Sequence, residues 1–235
     1  MRLDQAVAAR FPEISRRKAR ELIAARRVLV NDRPVGIASR EIADSDRITI
    51  VDELPELAVL GETDDWVAID KPAGLPTQPT RERDRRSLEE LLRVRYREIF
   101  VVHRLDTGTS GVVLFAKTRA ASARLSALFA GGEIRKTYVA RVDPPLAREA
   151  TIETPIDGKA ALTTVRPLGA DRVEAEIRTG RTHQIRIHLA SIGHPVAGDR
   201  RYGGRHAARL MLHAWRIEHS SLGGTVEAPL PEELR

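Results

Sequence analysis

At 235 residues, with 42% apolar and 31% charged side chains, the chain can bury a substantial core as one large domain or as a small one beside a larger one. Its longest apolar runs are only a few residues, which excludes a membrane-spanning helix, and its start, Met1-Arg2-Leu3-Asp4-Gln5, lacks the apolar stretch of a signal peptide, so a cytoplasmic protein is expected. The absence of cysteine removes disulfides, thiolate zinc sites and a cysteine nucleophile, while the net charge of +6, of which residues 1–50 supply +4 from 11 basic and seven acidic side chains, is concentrated at the front of the chain.

Residues 1–52 read as a compact unit of two short helices and several short strands. Ser15 is placed to cap a helix from Arg16 to Ala25, with Ala19, Leu22 and Ile23 inward and the basic residues outward. A strand through Arg27–Val30, a turn at Asn31-Asp32 and a strand through Arg47–Val51 complete it. A run of charges usually means a solvated face, but six basic residues to one acidic from Arg16 to Arg27 favour a phosphate-binding surface. Together with Arg2-Leu3-Asp4, Phe11-Pro12, Val28-Leu29-Val30-Asn31 and Asp46-Arg47-Ile48, this segment resembles the small RNA-binding module of the ribosomal-protein-S-four type. That resemblance implies phosphate contacts from Arg16, Arg17, Lys18 and Arg20. Asp32-Arg33 departs from the Gly-Lys or Gly-Arg that the family often has in its turn.

Residues 52–60, with Pro55 and two glutamates, form an expected linker to a second unit at 61–235. There Trp66-Val67-Ala68-Ile69 alternates into a strand that ends in Asp70-Lys71-Pro72-Ala73-Gly74-Leu75-Pro76, a shaped loop whose prolines and glycine forbid further regular structure. Residues 81–86 read as a mobile charged loop, and Ser87-Leu88-Glu89-Glu90 as a capping box opening a helix to about Arg97. His103-Arg104-Leu105-Asp106-Thr107-Gly108-Thr109-Ser110-Gly111 sets an acid in a polar turn anchored by the apolar strand Val112–Ala116. An isolated aspartate there more often caps its own backbone, so the weight given to Asp106 depends on other segments. A helix from Arg119 to Ala130 closed by Gly131-Gly132, strands at Lys136–Val142 and Val173–Thr179, and a helix entered from Gly180-Arg181-Thr182-His183 follow. Strands and helices do not alternate regularly, which indicates an α+β domain with a mostly antiparallel central sheet and flanking helices.

Three segments offer convergent polar groups: His103–Ser110, Arg135–Arg141 around Tyr138, and Gly180–His188. Arg186 is of the type that pairs bidentately with a carboxylate and keeps it ionised. Tyr138 is either core or a stacking surface for a base. Arg104, Arg181 and Arg186 again point to a polyanionic substrate.

With Lys136-Thr137-Tyr138, Thr179–His188, Gly193–Asp199, Tyr202-Gly203 and Leu210–Ala214 in order, residues 61–235 resemble the RluA-type pseudouridine synthase family. Asp70–Leu75 matches that family's first loop, whereas Pro76-Thr77-Gln78-Pro79 departs from its usual valine-histidine-proline. The resemblance implies isomerisation of a uridine within RNA with no metal or cofactor. The N-glycosidic bond breaks, the uracil turns, and its C5 rejoins the ribose. Asp106 is then the essential carboxylate, either a nucleophile at the anomeric carbon or the base that gives a glycal. Tyr138 stacks on the target base and serves proton transfer at C5, Arg186 pairs with Asp106, Leu212 walls the pocket, and Arg104 fills the gap of the flipped-out uridine. Lys136, Arg181 and His183, with the loop 81–86, are lesser candidates for RNA backbone contacts. Ribosomal RNA of the large subunit is the favoured partner, with transfer RNA the other candidate, and the protein is expected to be a monomer.

A kinase reading of Val67–Lys71 and His103–Asp106 fails for want of a glycine-rich loop and an Asp-Phe-Gly triplet. His183, His188 and His194 do not share a helical face as zinc ligands would. A glycosidase needs two facing acids. The competing reading is a non-catalytic RNA-binding or ribosome-assembly protein, against which a carboxylate facing an RNA backbone that it repels is an argument.

Overall fold

The computed structural model describes residues 1–25, 27–31, 33–51, 57–80 and 87–235. Asp32 of the expected turn, most of the expected linker and the charged loop 81–86 lie outside the described residues.

The N-terminal unit comprises α1 (Leu3–Arg10), α2 (Arg16–Ala24) and an antiparallel sheet of β1 (Val28–Val30), β2 (Arg33–Pro34) and β3 (Ile48–Ile50) in the order β2-β1-β3. Ser15 Oγ accepts from the Lys18 N–H at 3.2 Å, the expected cap. The inner face of α2, Ala19, Leu22 and Ile23, packs on Leu3, Val7, Val28 and Val30. At the helix junction Asp4 is fully buried and accepts from the Nε of Arg2, Arg16 and Arg20 at 3.2, 3.1 and 2.9 Å. Burial alone raises the pKa of Asp4, but its hydrogen bonds to Arg20 and Arg16 and the nearby charges outweigh it and bring the group down to about 2.

A depressed folded pKa contributes stability that is present above the unfolded value and lost as the pH falls through the folded one. Asp4→Asn is thus expected to lower the urea midpoint of the full chain at pH 7. The gap from the parent should narrow as the pH drops from 3.8 toward about 2, and a gap that stays constant over that range would assign the loss to something other than this charge.

The second unit runs β4 (Val59–Glu62), β5 (Trp66–Lys71), α3 (Leu88–Arg95), β6 (Phe100–Val101), β7 (Ser110–Ala116), α4 (Arg119–Gly131), β8 (Arg135–Arg141), β9 (Ala150–Ile152), β10 (Thr163–Gly169), β11 (Arg172–Ile177), α5 (Gln184–Ser191), β12 (Leu212–His219) and β13 (Gly224–Glu227). One sheet joins all ten strands, in the order β4-β5-β7-β12-β8-β11-β10-β9 with β6 on β7 and β13 on β12. Every pairing is antiparallel except β7 with β12. The α+β class with a mostly antiparallel sheet is as expected.

Strand β7 is buried throughout because both faces of the sheet are covered. Alternate residues serve opposite sides: Val113 and Phe115 join Leu88 and Leu92 of α3, and Val112, Leu114 and Ala116 join Ala121 and Leu125 of α4. Full burial of a side chain such as Leu114 or Phe115 contributes roughly 1.5–3 kcal/mol, so β7 is a rigid base for the loop that precedes it. Where β7 meets β12, Gly111 has φ +107°, and a Cβ there would stand 2.1 Å from the Ala214 carbonyl oxygen. Only glycine lets these two backbones approach.

Local signals set several boundaries. Ser87 and Glu90 form the capping box of α3, and Gly132, left-handed at φ 72°, ends α4. Two expectations shift. Helix α3 stops at Arg95 because Tyr96 turns extended and places its hydroxyl on Glu62 at 3.0 Å. Strand β5 continues through Asp70 and Lys71, paired with Val112 and Gly111. Helix α5 begins at Gln184 and is entered through Gly180–His183, as expected. Among the described residues no helix is long and apolar enough to cross a membrane.

Candidate active site

Asp106 lies in the segment between β6 and β7, clamped from both sides by residues 71–77. Thr77 Oγ1 donates to the Leu105 carbonyl at 3.0 Å and accepts from its N–H at 3.1 Å, and the Gly74 N–H donates to the Thr107 carbonyl at 2.7 Å. Beneath them Lys71, wholly buried, donates from Nζ to the carbonyls of Leu75, Pro72 and Thr107 at 2.7, 3.0 and 3.3 Å. Burial pushes its ammonium down to about 8, against the opposing pull of Asp106 and Asp70. The Asp-Lys-Pro-Ala-Gly loop is in this way a frame for the aspartate.

The carboxylate does not turn back on its own backbone. Its Oδ2 accepts from Nη1 of Arg186 on α5 at 2.9 Å. The rest of that guanidinium is held by Asp199, itself 2% exposed, with Oδ2 at 2.6 Å from Nε and Oδ1 at 2.9 Å from Nη2. Asp199 Oδ1 is fixed in turn by the N–H groups of Arg201 and Tyr202 at 3.1 and 3.3 Å. Burial works against the charge of Arg186, but Asp199 and Asp106 outweigh it and raise its pKa. Burial likewise works against ionised Asp199, and Arg186 with the two N–H groups holds it below the usual carboxylate range. Arg186 thus carries two carboxylates, one fully engaged and one, Asp106, facing the cleft.

The cleft opens to solvent, and the space within its walls, that open solvent included, is about 420 Å³. Asp106, Tyr138, Arg186 and Leu212 meet in it, with Arg104, Arg181 and His183 also on its walls. Tyr138 lies between Ala175 of β11 and Ala214 of β12, whose small side chains leave room for its ring. Burial, reinforced by the negative Asp106, pushes its hydroxyl well above the usual range. Tyr138 therefore stays protonated at neutral pH, so it suits stacking and donation rather than proton abstraction as a phenolate. Arg104 is exposed at the mouth, and Arg181 donates from Nε to the Ala160 carbonyl at 3.0 Å. His183 caps α5 in a left-handed conformation, with Nε2 3.7 Å from Asp106 Oδ2.

Lys136 corrects an expectation. It is 5% exposed and its Nζ donates to the carbonyls of Arg178 and Thr179 at 3.0 and 3.1 Å, so it braces the chain leading to Gly180 and does not face an RNA backbone. Burial and the charge of Arg181 push it down to about 8. His103 also points away from the cleft, stacked on Phe129 at 4.3 Å, with Nε2 accepting from the Leu114 N–H at 2.9 Å. Burial, with Lys136 nearby, brings it down to about 3, consistent with a neutral acceptor.

Of the basic residues on α2, Arg16 and Arg20 are anchored to Asp4, whereas Arg17 and Lys18 lie by Glu21 with side chains 91% and 58% exposed. His188 is buried, its Nδ1 2.8 Å from Thr163 Oγ1. Among the described residues no group of three histidines and acids could hold a metal ion. Asp199, Tyr202 and Gln184 carry the site's geometry, and residue type and spacing alone assign them no role. Gln184 ties Thr179 and Arg181 to Leu162 and Thr163. The run Gly198-Asp199 with Tyr202-Gly203 was the available signal.

The model of the RNA pseudouridylate synthase family matches residues 65–191, and that of the S4 domain matches residues 1–48. Ribosomal large subunit pseudouridine synthase D of Haemophilus influenzae is 32% identical over 99% of this chain and 89% of its own length. The protein of that name from Escherichia coli K12 is 34% identical over 99% and 88%. Among solved structures, human RNA pseudouridylate synthase domain containing 1 superposes with a TM-score of 0.64 at 25% identity, covering 78% of this chain and 86% of that one. The chain belongs to the RluA-type RNA pseudouridine synthase family, an isomerase family, with an S4 domain at its N-terminus.

Proposed function

We propose that the protein converts specific uridines of large-subunit ribosomal RNA to pseudouridine, with Asp106 as the essential carboxylate. The observation that carries this reading is the Asp106–Arg186 contact of 2.9 Å in a cleft whose other walls include Tyr138 and Leu212. An aspartate oriented by a guanidinium that is already neutralised by Asp199 keeps its charge and its direction, as either a nucleophile at the anomeric carbon or a base toward a glycal requires. The apolar wall of Leu212 and the ring of Tyr138 suit a flipped-out uracil, and exposed Arg104 at the mouth suits the gap it leaves. Residues 1–52 act as the RNA-binding module through Arg16, Arg17, Lys18 and Arg20, and residues 61–235 as the catalytic domain, in a cytoplasmic monomer.

Ribosomal RNA is favoured because the relatives' names specify the large ribosomal subunit, and transfer RNA is the second candidate. The test is release of tritium from C5-labelled uridine in ribosomal and transfer RNA transcripts, with no metal or cofactor added. Release from ribosomal RNA is expected. Release from transfer RNA alone would move the substrate, and none from either transcript or from ribosomal subunits would overturn the reading.

A further inference from the structure

Breaking a glycosidic bond at Asp106 leaves negative charge on the detached uracil, shared by N1, the O2 oxygen next to it and the conjugated O4, and a donor close to the carboxylate stabilises that charge. Arg186 is poorly placed for this, since Nε and Nη2 are on Asp199 and Nη1 is on Asp106. Of the other groups on the cleft walls, Tyr138 gives its ring to the stacking wall, Arg181 is engaged with the Ala160 carbonyl and Arg104 is exposed at the mouth; His183, with Nε2 3.7 Å from Asp106 Oδ2, is the donor beside the carboxylate. Its φ of 56° is unusual for a residue with a side chain, and such backbone persists where the surroundings over-determine it, often at functional sites.

The surroundings of His183 are specific. Its Nδ1 is 2.9 Å from the Tyr202 hydroxyl, and the two rings meet edge to face at 5.6 Å. Tyr202 is itself fixed, its N–H on Asp199 and its ring 5.1 Å from the Arg186 guanidinium carbon. The other ring nitrogen, Nε2, lies 3.7 Å from Asp106 Oδ2, too far for a direct hydrogen bond and close enough to reach the same substrate atoms. A negative carboxylate at that distance favours the tautomer with hydrogen on Nε2, which leaves Nδ1 to accept from the Tyr202 O–H. The charged groups that face the imidazole are Asp106, Arg186, Arg201 and Asp199, and burial keeps it toward the neutral form.

We propose that His183 is a further catalytic residue, donating a hydrogen bond from Nε2 to the carbonyl oxygen next to N1 of the departing uracil, and that Tyr202 is its positioning residue. Uracil O2 is two bonds from N1, and N1 is bonded to the anomeric carbon, which Asp106 attacks directly or beside which it takes a proton from the sugar, so one bound uridine meets both groups. No proton is transferred, and the donor acts only on charge that develops as the bond breaks. This assignment rests on the uridine-isomerising reading of the cleft.

The test uses His183→Asn and Tyr202→Phe in the full chain, with single-turnover tritium release and affinity measured on an RNA that the parent modifies. Asparagine tolerates the left-handed backbone, and phenylalanine keeps the ring beneath Arg186 while removing the hydroxyl. The expected result is a single-turnover rate about 100-fold lower for His183→Asn and about tenfold lower for Tyr202→Phe, with affinity within about twofold of the parent. An unchanged rate with weakened affinity would make His183 a phosphate contact and overturn the proposal. Should His183→Asn not fold, an unchanged rate in Tyr202→Phe would overturn it equally. Asp106→Asn separates the two levels: if that variant is inactive while His183→Asn is as fast as the parent, only the present inference falls, whereas an active Asp106→Asn removes the reading beneath it.

Discussion

Asp106→Asn is expected to lose tritium release by roughly 10³-fold or more while folding like the parent and binding RNA at least as tightly. The amide oxygen can still accept from Arg186 Nη1, and Asp199 still holds the other two nitrogens of that guanidinium, so no buried charge is abandoned. What disappears is the anion. An amide neither attacks an anomeric carbon nor takes a proton from the sugar, so both mechanisms open to the carboxylate fail together. Removing a negative charge from a cleft that receives a polyanion favours affinity, which separates a chemical defect from a binding defect. The measurements are single-turnover release, RNA affinity and the urea midpoint on one preparation. A variant that retains the parent's rate would exclude Asp106 from the chemistry.

How much of this was legible beforehand follows the range of each interaction. The Ser15 cap, the Ser87–Glu90 box and the Gly132 stop operate within three or four residues, and the pattern of residue types announces them. Asp106 and Arg186 are 80 residues apart, yet each sits in a distinctive run that the family resemblance ties to its role. Lys136 and Asp199 were harder. A lysine written among arginines looks like surface until the chain folds the Arg178 and Thr179 carbonyls onto it, and nothing local to Lys136 encodes that. Strand β12, Leu-His-Ala-Trp-Arg-Ile-Glu-His, carries no clean alternation, because it packs between β7 and β8 with its register broken between Ala214 and Arg216. The glycine that admits its close approach, Gly111, reads in sequence as turn chemistry, whereas its backbone conformation answers to a strand 103 residues further on at Ala214.

Asp199→Ala is expected to cost about 3 kcal/mol of stability and roughly 100-fold in the single-turnover rate, although Asp199 touches no substrate in the proposed reaction. Its removal strips the bidentate partner from an arginine whose side chain is only 12% exposed, leaving Nε and Nη2 without their carboxylate. It also frees the N–H groups of Arg201 and Tyr202 that hold the loop beneath Arg186. The charge balance shifts as well. With Asp199 present, one cation serves two anions and Asp106 is only partly neutralised. Without it, Arg186 and Asp106 become a closed pair, and a carboxylate so engaged is a weaker nucleophile and a weaker base.

Asp199→Asn separates these effects. It keeps an acceptor for the loop N–H groups and removes the charge, so it should recover most of the stability and little of the rate. Because Asp199 is held below its ordinary pKa, its contribution persists through neutral pH and declines only as the pH falls below 3.8 and through the depressed value. Urea midpoints at several pH values and single-turnover rates at pH 7 read both quantities. If Asp199→Asn matched the parent in rate, Arg186 would not need its second carboxylate to direct Asp106, and the clamp would be a matter of stability alone.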